Sequence, residues 1–316
     1  MIQTNRRLAP HDQSPFRIDN QVGNTPLLRL DCVAAELGLS PDIALFAKAE
    51  WFNPSGSVKD RAALNIIREA ERQGELRPGM TLLDSTSGNT GIAYAMLGAA
   101  RGYNVKLTVP ENASPERIAI LRAYGTEIVL TDPLEGSDGA ILEARRMVAE
   151  SPDKYYYANQ YDNPANWQAH YYTTGNEIWE QTGGAVSHYV CGLGTSGTFV
   201  GAARRLKELN PTIQCLSVQP DSPFHGLEGL KHMPTSIRPG IYDDKVADHD
   251  IKVRTEDAYR AAHLLARKEG IFVGISAAAN VMAAVQLGRE LDEGVLVTIL
   301  PDNGFKYLSE QFWSKS

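Results

Sequence analysis

From residue 81 onward, strand-like and helix-like stretches take turns with little chain between them, and no other feature narrows the fold as far. The pattern predicts strands at 81–84, 105–109 and 127–130, with helices at 90–101, 115–124 and about 137–150. It resumes with strands at 186–191 and 213–218, a helix at 197–209, helices at 255–269 and about 277–291, and a strand at 295–300. Short apolar strands followed by helices mean parallel sheets covered on both faces. The expected class is α/β, with two doubly wound domains and a boundary around 160–165. Ligands are then expected at the C-terminal ends of the strands. The stretch 221–250, rich in Pro, Gly, His and Asp, reads as long loops, which in such domains are usually functional.

Other classes are excluded quickly. The 316 residues carry a net charge of −7, which argues against a nucleic-acid partner. No apolar run approaches the roughly 20 residues of a membrane span. MIQTNRRLAPHDQSPF at the N-terminus has two arginines and no apolar core behind them, so no secretory signal is expected. Cys32, Cys191 and Cys215 are too few and too scattered for a disulfide framework or a zinc site. A cytoplasmic protein acting on small molecules, with no metal, is the expectation.

Three polar loops stand at strand-to-helix junctions. STSGNTG (85–91) places hydroxyls and glycines where a helix begins, and helix N-termini bind anions. CGLGTSGT (191–198) contains Gly192-x-Gly194-x-x-Gly197, and Asp221 ends the next strand. That spacing admits an NAD-dependent oxidoreductase, but its Thr and Ser hydroxyls would equally cradle a single phosphate. GISAAAN (274–280) opens a helix, where Ser276 reads equally well as a cap or as a ligand group. Beside these loops, the turn formers NPSGSV (53–58) deliver one lysine, Lys59, to the start of a helix. Two anion loops and a specially placed lysine suit a cofactor with a phosphate and an aldehyde, and pyridoxal phosphate is that cofactor.

The motifs GNTPLLRL, NPSGSVKDR, STSGNTG and GLGTSGT, in that order, resemble the cysteine synthases (O-acetylserine sulfhydrylases) among fold-type II pyridoxal-phosphate enzymes. The likeness spans about residues 20–310. It implies a tryptophan synthase β-like fold with the cofactor between two domains. The smaller, mobile domain would be 54–162, and the larger would be 1–53 with 163–316. Lys59 would form the Schiff base and remove the substrate α-proton. Asn89 would bond the ring hydroxyl. Gly194, Thr195, Ser196, Gly197 and Thr198 would cup the phosphate, and Ser276 would face the pyridine nitrogen. Thr86, Ser87, Thr90 and Gln160 would hold the substrate carboxylate. The implied reaction is replacement at Cβ of O-acetylserine or O-phosphoserine through an α-aminoacrylate, with sulfide or another nucleophile adding; diaminopropionate- and cystathionine-type products are the alternative. A homodimer is also implied. Lys231-His232, in the loop 225–243, resembles the B-type enzymes, which accept anionic sulfur donors, and Ala278 departs from the glycine common in the family.

Overall fold

The computed structural model describes residues 17–86, 88–310 and 313. In chain order the first elements are β1 (Leu27–Arg29), α1 (Asp31–Glu36), β2 (Ile43–Ala49) and α2 (Lys59–Gln73). Then come β3 (Thr81–Ser85), α3 (Asn89–Arg101), β4 (Asn104–Pro110), α4 (Pro115–Ala123), β5 (Glu127–Thr131), α5 (Gly136–Glu150) and β6 (Tyr155–Tyr157). The chain continues through α6 (Ala165–Tyr172), α7 (Thr174–Gln181), β7 (His188–Gly192), α8 (Gly197–Leu209), β8 (Gln214–Pro220) and β9 (His249–Val253). It closes with α9 (Thr255–Leu264), a π-helical turn over Leu265–Glu269, α10 (Ile275–Gly288) and β10 (Gly294–Leu300).

These strands form two sheets. One has the order β5-β4-β3-β6 and is parallel throughout. The other runs β1-β2-β10-β7-β8-β9, parallel except for β1 against β2. Parallel strands are buried on both faces, and the side chains alternate accordingly. On β3, Leu82 joins the core under α2 and α3, and Leu83 packs the opposite way, with Ala144 of α5. On β7, Val190 faces the core of α9 and α10, and Tyr189 and Cys191 face that of α8. Helices end where expected: Gly74 and Gly102 close α2 and α3 in the left-handed conformation, at φ 74° and 80°. Ala278 is fully buried in the core on α10, where an alanine packs without disturbing the helix.

The loop expected over 221–250 is present, except that its last residues enter β9. All the motif loops leave the C-terminal ends of parallel strands or begin helices beside them. The Lys59 turn follows β2, the 85–89 turn follows β3, the 192–197 turn follows β7, and Asp302 follows β10.

Candidate active site

The turn before Lys59 is held from several sides. Gly56 adopts φ 82°, which glycine tolerates. Ser55 donates from its backbone N–H (2.7 Å) and from its hydroxyl to the Asp60 carboxylate. Val58 N–H donates to Pro301 O at 2.8 Å, tying the turn to the end of β10. Lys59 itself is half-buried and lines the cleft, and no hydrogen bond or ion pair engages its Nζ among the described residues. Burial pulls its pKa below the ordinary lysine value, against the pull of Asp302 and Cys191. An amine that is desolvated and unpartnered is more readily neutral, hence nucleophilic.

A neutralised ionic cluster lies two residues along. Arg61, on the first turn of α2, bonds Glu50 (2.7 and 2.9 Å) and Glu177 (2.6 and 2.8 Å). Lys48 reaches Glu177 at 2.6 Å and donates to Thr25 O at 2.6 Å. Two cations meet two carboxylates in the interior, and the cluster joins β2, α2, α7 and the GNTP segment. Sequence reasoning passed over it, because nothing in the local pattern marks these charges as buried.

Asn89, expected at the ring hydroxyl, begins α3. Lys306 Nζ donates to Asn89 Oδ1 at 2.7 Å, and Asn89 Nδ2 donates to Asp302 Oδ2 at 2.7 Å. Because an ammonium can only donate, the amide orientation is fixed, and the second Nδ2 proton remains for a ligand. Lys306 uses its other donors on Ser55 O (3.1 Å) and Gly56 O (3.3 Å), so one side chain clamps both Asn89 and the Lys59 turn. Tyr307 Oη donates to Asp302 Oδ2 at 2.6 Å. Asp302, Lys306 and Tyr307 were not singled out from sequence, because they follow the last strand in an unremarkable stretch.

The 194–198 loop fits a phosphate. Ser196 adopts φ 72°, rare for a residue with a side chain, and its buried Oγ has no hydrogen-bond partner among the described residues. The thirteen-residue helix α8 presents its N-terminus here. A Cβ at Gly194 would lie 2.5 Å from Gly229 O, so the two backbones require glycine to approach this closely. Thr195 Oγ1 accepts from Asn166 Nδ2 at 3.1 Å, and Thr198 Oγ1 pairs with His170 Nε2 at 3.2 Å. Burial, with Arg61 and Lys59 nearby, pushes the His170 pKa well down, so this imidazole is neutral. Gly197 lies under the loop, where a Cβ would collide with the Asn166 side chain.

On the other wall, Thr90 Oγ1 donates to Gln160 Oε1 at 2.7 Å, and Ser85 Oγ is a buried hydroxyl without a partner among the described residues. Ser87 lies outside the described residues. Lys231 N–H donates to Leu193 O at 2.7 Å, which pins the 225–233 segment against the turn after β7. The Lys231 ammonium stands 5.1 Å from the Tyr161 ring centre. His232 is turned away to Thr235 Oγ1 at 2.8 Å and is absent from the cavity wall. Arg117 of α4 forms an ion pair with Glu228, joining the helix beside the smaller sheet to the 225–233 segment.

These groups surround one cavity of about 460 Å³. Lys59, Thr86, Asn89, Thr90, Gln160, Gly194, Thr195, Ser196, Thr198, Lys231 and Ser276 all line it; Gly197 supports it from below. Among the described residues no cluster of His, Cys, Asp and Glu could hold a metal ion, and no helix is long and apolar enough to cross a membrane.

Comparison with known proteins agrees with this geometry. Residues 18–302 match the family model described as pyridoxal-phosphate dependent enzyme. A cysteine synthase of Aquifex aeolicus is 51% identical, covering 97% of this chain and 96% of its own. A cysteine synthase B of Pseudomonas aeruginosa is 43% identical, over 91% and 94%. The crystal structure of a cysteine synthase from Entamoeba histolytica superposes with a TM-score of 0.91 at 37% identity, covering 100% of this chain and 94% of that one. With a family model matched over most of its length and relatives above 40% identity across nearly the whole chain, the chain belongs to the pyridoxal-phosphate dependent enzymes and, among them, to the cysteine synthase family.

Proposed function

We propose that this enzyme makes L-cysteine by replacing the β-substituent of an activated L-serine with a sulfur nucleophile. The observation that carries the reading is the desolvated Lys59 amine, unpartnered among the described residues, in a cavity that two hydroxyl-rich helix N-termini also line. Pyridoxal phosphate, when bound, draws electrons from the substrate Cα and so makes its proton acidic. Lys59 takes that proton, the Cβ–O bond breaks with loss of acetate or phosphate, and the Cβ–S bond forms as the nucleophile adds. Lys59 then returns a proton to Cα. Thr86, Ser87, Thr90 and Gln160 hold the substrate carboxylate, which keeps Cα in reach of Nζ. Gly194 to Thr198 hold the cofactor phosphate, and Asn89 offers its free Nδ2 proton to the ring hydroxyl oxygen. Ser276, facing the pyridine nitrogen, brings no carboxylate charge, which suits elimination at Cβ over transamination.

The smaller unit, 54–162, closes on the substrate over the larger one, 1–53 with 163–316. The three unpaired cysteines suit a reducing cytoplasm, and the solution form is a homodimer, measurable by sedimentation. Steady-state assays of O-acetylserine and O-phosphoserine against sulfide and thiosulfate test the reading. Formation of cysteine, or of S-sulfocysteine with thiosulfate, supports it. A protein that forms a new bond at Cβ only with an amine or a thiol amino acid would instead be a diaminopropionate- or cystathionine-type synthase.

Lys231 selects for negative charge. Burial lowers its pKa, with Asp138 opposing, but no carboxylate pairs with it among the described residues. An ammonium about 4 Å from an anion gains about 1–4 kcal/mol, depending on the effective dielectric. Lys231→Ala is therefore expected to reduce kcat/KM for O-phosphoserine or thiosulfate by about tenfold. The O-acetylserine and sulfide reaction should fall far less, and the difference should shrink in high salt. Equal losses with every substrate would assign Lys231 a structural role.

Lys306→Met is expected to weaken cofactor retention by about tenfold, since hydrogen bonds to a charged group contribute about 1.5–3 kcal/mol each. It leaves Asn89 free to flip and two turn carbonyls unpaired. Equilibrium dialysis of pyridoxal phosphate measures the effect, and unchanged retention would show that Asn89 needs no clamp.

A further inference from the structure

Arg117, on the first turn of α4, lines the cavity and is almost fully buried. Its guanidinium stands 5.1 Å from the Tyr307 ring centre, a contact that favours the cation. Nη1 is paired with Glu228, but Nε–H is buried and has no hydrogen-bond partner among the described residues. Asp302 also attracts Arg117. Its Oδ2 is engaged by Asn89 and Tyr307, and its Oδ1 has no hydrogen-bond partner among the described residues. The guanidinium is therefore only partly satisfied, and Glu228 is the carboxylate that bonds it.

Glu228 is held far less firmly than its partner. Leu230 N–H donates to Leu227 O at 3.1 Å, and Gly229 adopts φ 91°, which makes 227–230 a type II turn with Glu228 at its corner. The backbone is fixed there, and again by the bond from Lys231 N–H to Leu193 O. The Glu228 side chain, however, is 45% exposed, against 6% for Arg117. A change of rotamer takes the carboxylate out to water while the turn stays in place. The guanidinium cannot follow it, and is left as a buried cation on the cavity wall. Lys231, three residues further along the same segment, lines that cavity too and has no carboxylate partner among the described residues.

Glu228 thus occupies Arg117 as a substrate anion would. A guanidinium fork matches the oxygens of a phosphate or a similar tetrahedral anion. A dianion brings twice the charge of the carboxylate it displaces, and a neutral ester brings none. We propose that Glu228 is a tethered competitor for Arg117, displaced by a substrate that carries a tetrahedral dianion, either as a phosphate ester on the amino acid or as thiosulfate. Under the β-replacement reading, on which this rests, Arg117 joins Lys231 in selecting charge, and Glu228 denies Arg117 to weaker anions.

The test is steady-state kinetics of the holoenzyme at low salt. Glu228→Gln keeps the shape and removes the competing charge. It is expected to lower the KM of the dianionic substrate about tenfold, a change worth about 1.4 kcal/mol. O-phosphoserine with sulfide and thiosulfate with O-acetylserine are assayed separately, and the arm whose KM falls identifies the molecule that carries the dianion. Adding Arg117→Gln to Glu228→Gln should cancel the gain, because competitor and receptor act as a unit. A pair that only braced the fold would show no gain of affinity on losing its acid. Should Glu228→Gln fail to fold, Glu228→Asp, which keeps the charge on a shorter arm, should lower the same KM about threefold. Isothermal titration of inorganic phosphate and of thiosulfate into the holoenzyme gives a readout without turnover, with Kd for the dianion falling in the same proportion. A KM and a Kd that stay fixed or rise in both arms overturn the inference, and leave β-replacement standing if O-acetylserine and sulfide still yield cysteine. A Kd that falls as expected in a protein that turns over none of these substrates keeps the anion site and overturns the β-replacement reading instead.

Discussion

Lys59→Ala should abolish β-replacement, with turnover falling by at least about 10²–10⁴-fold, the usual contribution of a positioned proton-transfer group. The loss is expected to be larger than for any other single side chain, because Lys59 would serve as both the covalent anchor and the base. Its neighbours cannot substitute. Lys306 has its three donors committed to Ser55, Gly56 and Asn89, and Lys48 is held by Glu177 and Thr25 O. The variant should still take up cofactor through the 194–198 loop, but borohydride should no longer fix it to the protein. Wild-type protein should be yellow, bleach with borohydride and yield a Lys59-linked peptide. Turnover in Lys59→Ala within tenfold of wild type would end the assignment.

Glu177→Ala should cost about 3–5 kcal/mol of stability, because it leaves Arg61 and Lys48 buried without their shared counter-ion. Urea unfolding measures the loss, and a change below 1 kcal/mol would mean that water reaches the cluster. The same residue sets an acid limit. Burial alone would raise its pKa, but the hydrogen bonds and charge of Arg61, with Lys48, outweigh it and hold the group at about 2, below the ordinary 4.5. The unfolded chain therefore binds the proton first as pH falls. The stabilisation is complete above about 4.5 and disappears as pH drops towards about 2. The difference of roughly 2.5 units corresponds to on the order of 3 kcal/mol. Because Arg61 sits two residues from Lys59 on α2, a loosened cluster should also lower kcat in whatever fraction stays folded.

The parts legible in the sequence share a physical character. Hydrophobic periodicity marks β3 to α5 well because those strands and helices are local and strongly patterned. The same method passed over β2, whose run IALFAKA hides a lysine that is buried only because Glu177, far along the chain, comes to meet it. It also passed over the three-residue strands β1 and β6, too short to show a period. The site divides in the same way. Lys59, Asn89 and the two hydroxyl-rich loops announce themselves through turn chemistry that has no other evident use. Asp302, Lys306 and His170 act through contacts with residues 28 to 251 positions away, which no local window contains.

The sheet order has a consequence for how the molecule comes into being on the ribosome. Every strand of the four-stranded sheet lies between Thr81 and Tyr157, so that layer can assemble once its own stretch has emerged. The six-stranded layer cannot. Its strand β10 (Gly294–Leu300), inserted between β2 and β7, is the last of its strands to be made, so β2 waits with one side unpaired until that stretch emerges. Non-local pairing of this kind is slow and exposes sticky edges in the meantime. A nascent chain stalled before residue 294 would hold the four-stranded layer in finished form and Lys59 without the Pro301 carbonyl that anchors its turn, with the edges of β2 and β7 open to wrong pairing.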